Sequence, residues 1–562
     1  MTSSVIQRPA YEWLAIDIKN AGVTSVFGLM SDDTALLVAT LDGMGVRFYG
    51  ARHENNAVAM AEGYAAATGE TGIVILGRGP ATANGLHGVT YAQRSGSRVL
   101  IVLGEASVAW APPSGYGPDS KGFNSTAVLN AAGVKTIVAT ESGGARQALA
   151  TALAATAYGA VALLLPMNVQ YGAVEDVETA PRGSVAGSAP KPTRAAAIDA
   201  AADILKRSQH PVFVAGLGAH RAGARDALIR LADKVGACTG TTFKAKDMFR
   251  GYAFDVGIIG SFSHAGGRRL IDQADCIVAF GAGLNQRTTS FGTSLPNDVP
   301  LIHVDTHREN IGRWFHADVA VVADVKQAAE QLFEVLPPRS ADQKPLHGAA
   351  NRQWLADFKL QSEFEPANTP RTMDPRSLAL ELDRLLPTER NIVYDSGNFL
   401  QIAPYISVPG PAHIKHAGDF SSIGMGFGTA LGFACARVDQ PTVLFVGDGS
   451  FLMTLGELET AVREDIPLII VVMNDGAYGA ELHYLKMRSM PVAKSVFADL
   501  DFAPIAQAVG FQAETVRTLD ELRALEPLLA SQSGPILLDC KINASVAAPF
   551  LLETIEYERR KR

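Results

Sequence analysis

The 562-residue sequence predicts an α/β protein of three tandem domains, each a doubly wound parallel sheet, and three observations predict it. Apolar runs of five to seven residues recur along the chain, Ala/Leu-rich amphipathic segments separate them, and two Pro-, Gly- and Ser-rich stretches interrupt the alternation. A strand that is apolar on both faces belongs in a sheet covered on both sides, as parallel sheets with helical crossovers are.

In the first block the clearest runs are 72–77 (GIVILG) and 99–104 (VLIVLG), in the second 212–216 (VFVAG) and 276–281 (CIVAFG), and in the third 442–447 (TVLFVG) and 468–474 (LIIVVMN). The interruptions read as linkers: 175–194, and 337–376 with a short helical piece, QWLADFKLQ, inside it. Domains are therefore expected at 1–175, 190–340 and 370–545, followed by a C-terminal tail, 546–562, whose basic end Arg559-Arg560-Lys561-Arg562 reads as solvated. The first and third blocks share a rhythm.

Composition excludes several classes of function. With 49 Lys+Arg against 57 Asp+Glu the net charge is −8, whereas a nucleic-acid binder normally shows a basic balance and a pI above roughly 9. Hydrophobic residues make up 47% of the chain, which supports large cores. The four cysteines form no C-x-x-C pair, so neither a disulfide framework nor a zinc knuckle is indicated. The first residues lack an apolar core for a signal peptide, and no apolar stretch approaches the roughly 20 residues that span a bilayer. A soluble, unprocessed, cytoplasmic protein is expected.

In open parallel sheets ligands bind at the carboxyl ends of strands. Two glycine pairs there, Gly216/Gly218 and Gly281/Gly283, are incomplete dinucleotide fingerprints, and no G-x-x-x-x-G-K-[ST] occurs. The third block is richer. Its first apolar run ends in Gly447-Asp448-Gly449-Ser450, a helix follows with Thr454 and Glu457 spaced as a capping box, and the next run delivers Asn474. If the two strands are neighbours, Asp448 and Asn474 emerge side by side at one sheet edge. Glycines let backbone approach a ligand, N–H groups ahead of a helix suit phosphate, and a carboxylate, an amide oxygen and a carbonyl are ligands Mg²⁺ takes alongside phosphate. Taken singly, GDGS reads equally as a turn and Asn474 as a loop residue. The conjunction describes a Mg²⁺-diphosphate site.

With Asn474 26 residues beyond Asp448, the chain resembles the thiamine-diphosphate-dependent enzymes, whose signature is GDG followed after some 25 residues by Asn. The resemblance implies that Asp448, Asn474 and the Gly476 carbonyl hold Mg²⁺, with Gly447, Gly449 and Ser450 at the diphosphate. It also implies a glutamate that hydrogen-bonds the cofactor's aminopyrimidine and relays a proton. Arg52-His53-Glu54, ahead of A-x-x-A-x-G-Y-A-like residues, marks Glu54 for that role, against the simpler one of an acidic residue in a helix's first turn. His53 reads as structural. Residues 421–432, SSIGMGFGTALG, resemble the family's Gly-rich segment and place Ile423, ahead of Met425, as the apolar wedge beneath the cofactor. Residues 395–399, DSGNF, resemble the segment near the diphosphate and mark Asn398.

The resemblance spans nearly the whole chain, in the order pyrimidine-binding, central and diphosphate-binding domains. It implies a homodimer or homotetramer with sites at subunit interfaces. FAD or ADP in the central domain stays open. Within the family the nearest likeness is to the acetohydroxyacid synthase, pyruvate oxidase and benzaldehyde lyase group, with departures. The loop Phe27-Gly28-Leu29-Met30-Ser31-Asp32-Asp33 lacks G-x-P-G and G-x-H-G, and Asn124 stands where synthases carry a Gln that contacts substrate. Glu481, on the helix after Asn474, is the candidate for proton handling on the substrate, the plainer reading being a solvated helical glutamate beside Tyr484; His483 and Tyr484 are weaker candidates. The expected activity is acetolactate synthase-like carboligation of a 2-oxo acid. The alternatives are a 2-hydroxy ketone lyase or 2-oxo acid decarboxylase and, from another class, a low-activity cofactor- or nucleotide-binding subunit.

Overall fold

The computed structural model describes residues 7–107, 119–175, 195–296, 298–339, 345–531 and 534–561. Most of the first expected linker (176–194), the loop stretch 110–118 and Arg562 lie outside the described residues.

All six apolar runs are strands: Gly72–Leu76, Val99–Glu105, Pro211–Ala215, Cys276–Phe280, Thr442–Gly447 and Leu468–Asn474. They form the middles of three six-stranded parallel sheets. Numbering strands within each sheet, the N-terminal one runs 2-1-3-4-6-5 and the C-terminal one repeats that order, whereas the middle sheet runs 3-2-1-4-5-6. The common rhythm of the first and third blocks is therefore a common topology. In the C-terminal sheet the order reverses between Asn391–Tyr394 and Thr442–Gly447, so the segments after these two strands flank the crevice where such sheets bind ligands.

The outer domains pack on each other through two helices, Glu54–Thr68 and Gly426–Ala436. Glycine permits this: a Cβ on Gly432 would stand 1.8 Å from the Met60 carbonyl oxygen, and one on Gly63 2.1 Å from that of Thr429. One apolar core continues across the pair, joining Phe27, Val74 and Ile101 of the N-terminal sheet to Leu444, Ile470 and Leu537 of the C-terminal one.

The stretch expected as a tail contains a helix, Pro549–Arg560. It is held because its apolar side has partners. Phe550 and Ile555 are buried, Tyr557 stacks on Phe291 of the middle domain at 4.5 Å between ring centroids, and Arg287 donates to the Phe550 carbonyl at 2.9 Å. The charged end, Arg559 to Lys561, is exposed. The expected capping box is absent. Thr454 donates to backbone carbonyls behind it, the helix begins at Glu457, and the Glu457 carboxylate turns to the other domain.

Candidate active site

Strands Thr442–Gly447 and Leu468–Asn474 are neighbours with Gly447 opposite Met473, so the next residue on the first, Asp448, and Asn474 leave the same sheet edge together. Both are buried, 3% exposed. The Asn474 side chain is fixed at both ends: its nitrogen donates to the Leu500 carbonyl at 3.0 Å and to Asp539 Oδ1 at 2.8 Å, and its oxygen accepts the Gly476 N–H at 3.2 Å. Gly476 has φ +66°, a left-handed turn that favours glycine, and its carbonyl accepts the Phe497 N–H at 2.6 Å. One carbonyl lone pair remains.

Buried negative charge gathers here. Burial pushes the Asp448 carboxyl up to about 7, and burial together with the Asp448 charge pushes Asp475 up to about 8. A divalent cation reverses that cost. The Asp448 carboxylate, Asn474 Oδ1 and the Gly476 carbonyl are the hard oxygens such a cation takes, so the residues present fit Mg²⁺ completed by phosphate oxygens. Among the described residues no group of three or more His, Cys, Asp or Glu side chains forms an alternative metal site.

The Gly-rich segment is tied to this edge by Ser450. Its hydroxyl donates to Asp395 and accepts the Gly424 N–H at 2.8 Å, while Asp395 also accepts the Ser396 N–H at 2.7 Å. The Ser450 side chain is thus committed to loop architecture, leaving its backbone for a ligand. Ile423 stays half-exposed, whereas Met425 is buried against Ala59, Tyr91 and Ala417, so Ile423 is the residue free to act as a wedge. The glycine at 449 is needed for packing: a Cβ there would stand 2.6 Å from the Tyr478 ring.

Asn398 does not face a ligand with its amide. The nitrogen donates to the Val546 carbonyl at 2.9 Å and the oxygen accepts the Ala548 N–H at 2.8 Å, so both ends anchor the segment entering the C-terminal helix. Glu481 and Tyr484 are exposed on helix Gly479–Lys486; Tyr484 lies beneath the Arg488 guanidinium at 3.6 Å, and His483 is buried.

On the N-terminal side Glu54 opens helix Glu54–Thr68 and is 8% exposed, accepting the Asn84 amide at 3.3 Å. His53 caps that helix, its ring nitrogen accepting the Asn55 N–H at 3.2 Å. One turn beyond Asn84, on helix Pro80–Ser95, His87 meets the Ser422 hydroxyl at 2.6 Å, so a single helix links Glu54 to the loop of Ile423. Thr82 of the same helix meets Ser125 at 3.2 Å, which brings the neighbouring Asn124 near. Asn124 is exposed and caps helix Ser125–Ala131, its oxygen accepting the Ala127 N–H at 3.0 Å, which leaves its nitrogen for other partners.

Family models match three segments: the thiamine pyrophosphate enzyme N-terminal TPP-binding domain over residues 9–128, the central domain over 198–332 and the C-terminal TPP-binding domain over 395–540. The chain belongs to the thiamine pyrophosphate enzymes. It is 25% identical to a sulfoacetaldehyde acetyltransferase of Alcaligenes xylosoxydans xylosoxydans, over 89% of this chain and 87% of that one. It is 26% identical to a probable acetolactate synthase large subunit of Methanocaldococcus jannaschii (89% and 86%) and 26% identical to a probable 2-ketoarginine decarboxylase of Pseudomonas aeruginosa (93% and 92%). Its fold matches that of a Rhodococcus jostii RHA1 thiamine diphosphate-dependent 4-hydroxybenzoylformate decarboxylase with a TM-score of 0.77 at 20% identity, covering 95% of this chain and 99% of that one.

In this thiamine pyrophosphate enzyme two further carboxylates, Asp475 and Asp539, adjoin the site without belonging to its sequence motif. The signal for Asp539 was available: a charged residue inside an otherwise apolar run, ILLDC. Asp475, directly after Asn474, carried no signal separating it from a turn residue.

Proposed function

We propose that the protein makes or breaks a carbon–carbon bond next to a carbonyl with thiamine diphosphate and Mg²⁺, and that its reaction is acetolactate synthase-like carboligation of a 2-oxo acid. The observation that carries this is the pairing of Asp448 with Asn474 at the crevice of the C-terminal sheet. Bound thiamine diphosphate supplies a carbon nucleophile and an electron sink for the bond that breaks. Asp448, Asn474 and the Gly476 carbonyl would hold the cation, the backbone at Gly447, Gly449 and Ser450 would receive the diphosphate, and Ile423 would support the cofactor from below. Glu54 holds and returns a proton at the aminopyrimidine. Glu481 handles protons on the substrate, and the amide nitrogen of Asn124 orients its carbonyl.

A 2-oxo acid decarboxylase or 2-hydroxy ketone lyase is the second reading, supported by the likeness to the probable 2-ketoarginine decarboxylase. A low-activity cofactor- or nucleotide-binding subunit is the reading from another class. Purified protein given thiamine diphosphate, Mg²⁺ and pyruvate is followed by NMR, with larger 2-oxo acids and 2-hydroxy ketones in parallel tubes. Acetolactate supports the first reading, acetaldehyde alone the second, and no turnover of pyruvate, of larger 2-oxo acids or of 2-hydroxy ketones sinks both.

The same reading places the protein in the cytoplasm as a homodimer or homotetramer with shared sites. Exposed apolar side chains beyond the strand ends, Met30 and Phe123 in the N-terminal domain and Met453 and Tyr478 in the C-terminal one, support the assembly, which light scattering tests. FAD or ADP is proposed at the crevice of the middle sheet, whose 3-2-1-4-5-6 order suits a nucleotide; yellow colour after purification separates FAD from ADP. Among the described residues no helix is long and apolar enough to cross a membrane.

A further inference from the structure

We propose that Asp539 is a positioning residue that decides which end of the Asn474 amide faces the cation. This rests on the cofactor reading above. An amide presents an acceptor at one end and a donor at the other, and only the oxygen can ligate a metal. Asn474 is turned by its surroundings, since its nitrogen lies between two acceptors, Asp539 Oδ1 at 2.8 Å and the Leu500 carbonyl at 3.0 Å. Asp539 is fully buried in the neighbouring strand Ile536–Lys541 and meets donors only. Its second oxygen accepts the Phe502 N–H at 2.9 Å and lies 3.1 Å from Lys541 Nζ, which supplies a compensating positive charge. Fixing a metal ligand through its other end in this way typically matters 10–100-fold in metal affinity.

The arrangement makes a specific forecast for exchanging the two side chains. In Asp539→Asn the new amide keeps its oxygen toward Phe502 and Lys541, so its NH₂ faces Asn474. Two donors then oppose each other, Asn474 turns over, and its NH₂ points at the cation. Adding Asn474→Asp removes the clash of donors, because a carboxylate accepts that NH₂ and offers its other oxygen to the metal; it gives no donor back to the Leu500 carbonyl, so the exchange restores most of the arrangement and not all of it. Asn474→Asp alone sets two buried carboxylates against each other, which is unfavourable.

The test is Mn²⁺ affinity in the presence of thiamine diphosphate, read by electron paramagnetic resonance of free Mn²⁺ on the four proteins, with circular dichroism as the folding control. D539N is expected to bind Mn²⁺ about 10–100-fold more weakly than the unmodified chain, and the exchanged pair to recover most of that loss and to bind more tightly than N474D. If D539N does not fold, the comparison of the exchanged pair with N474D carries the test alone. D539N within twofold of the unmodified chain, or an exchanged pair no tighter than either single variant, overturns the role of Asp539. An unmodified chain that binds no Mn²⁺ with the cofactor overturns the cofactor reading, and this inference with it.

Discussion

Asn56 donates its side-chain amide to the Glu457 carboxylate at 2.9 Å, joining the two outer domains across 401 positions of sequence. The same carboxylate oxygen accepts the Arg52 backbone N–H at 3.0 Å, so Glu457 grips the chain on both sides of Glu54. Its other oxygen accepts the Thr460 hydroxyl at 2.6 Å, and the whole group is buried. The acid expected to relay a proton is thereby fixed to the domain expected to hold the cofactor.

Glu457→Ala removes the acceptor from the Arg52 N–H and the Asn56 amide. Donors left unpaired in a buried site cost about 1–3 kcal/mol. Urea unfolding is expected to show that loss, and an unchanged midpoint would mean that water replaces the carboxylate.

Glu54→Gln keeps the size of the side chain and its contact with Asn84 but cannot take up a proton. Turnover is expected to fall by about 10²–10⁴-fold with thiamine diphosphate still bound. Activity close to that of the unmodified protein, with cofactor binding confirmed by calorimetry, would falsify the relay role.

Gly432→Ala places a methyl group 1.8 Å from the Met60 carbonyl, within a helix contact that cannot open without parting the domains. Overpacking of this kind costs about 1–3 kcal/mol, and more where backbone is the obstacle. Gly283→Ala, with nothing within 4 Å, is the control expected to leave thermal stability unchanged.

Mg²⁺ binding is expected to depend on pH through Asp448, raised to about 7, and Asp475, raised to about 8. Their values in the folded apoprotein exceed the unfolded ones, so the folded state holds protons that the unfolded state has released. The contribution of these groups to apoprotein stability is present below about pH 4 and is lost as pH rises through about 7–8. The cation needs the carboxylate form, so its binding releases protons and tightens with pH until about 8. Calorimetry in buffers of differing ionisation enthalpy measures the release; binding at pH 6 that is proton-neutral and as tight as at pH 8 would contradict it.

The residues that sequence reading placed well are those whose signal is local. Six apolar runs became six strands because a strand buried on both faces must be apolar throughout, and Asp448 and Asn474 met because adjacent parallel strands end at the same edge. Thr454-x-x-Glu457 satisfies a local capping pattern, yet the partners of Glu457 lie in the other domain. Asn398 sits beside the expected diphosphate site in sequence, yet its amide is consumed by Val546 and Ala548, about 150 residues away. The C-terminal helix reads as a tail in sequence because the partners of its apolar side, Phe291 and Arg287, belong to the middle domain.

Three parallel sheets, the place of each along the chain and the motif at the edge proposed for the metal are legible in the residues alone, because apolar periodicity and glycine spacing are written in neighbouring residues. The tertiary structure decided which domain grips Glu54, which way the Asn474 amide turns and which polar side chains are already spent. A buried hydrogen-bonding group takes whatever partner the fold brings within about 3 Å, and that partner has no fixed distance in sequence.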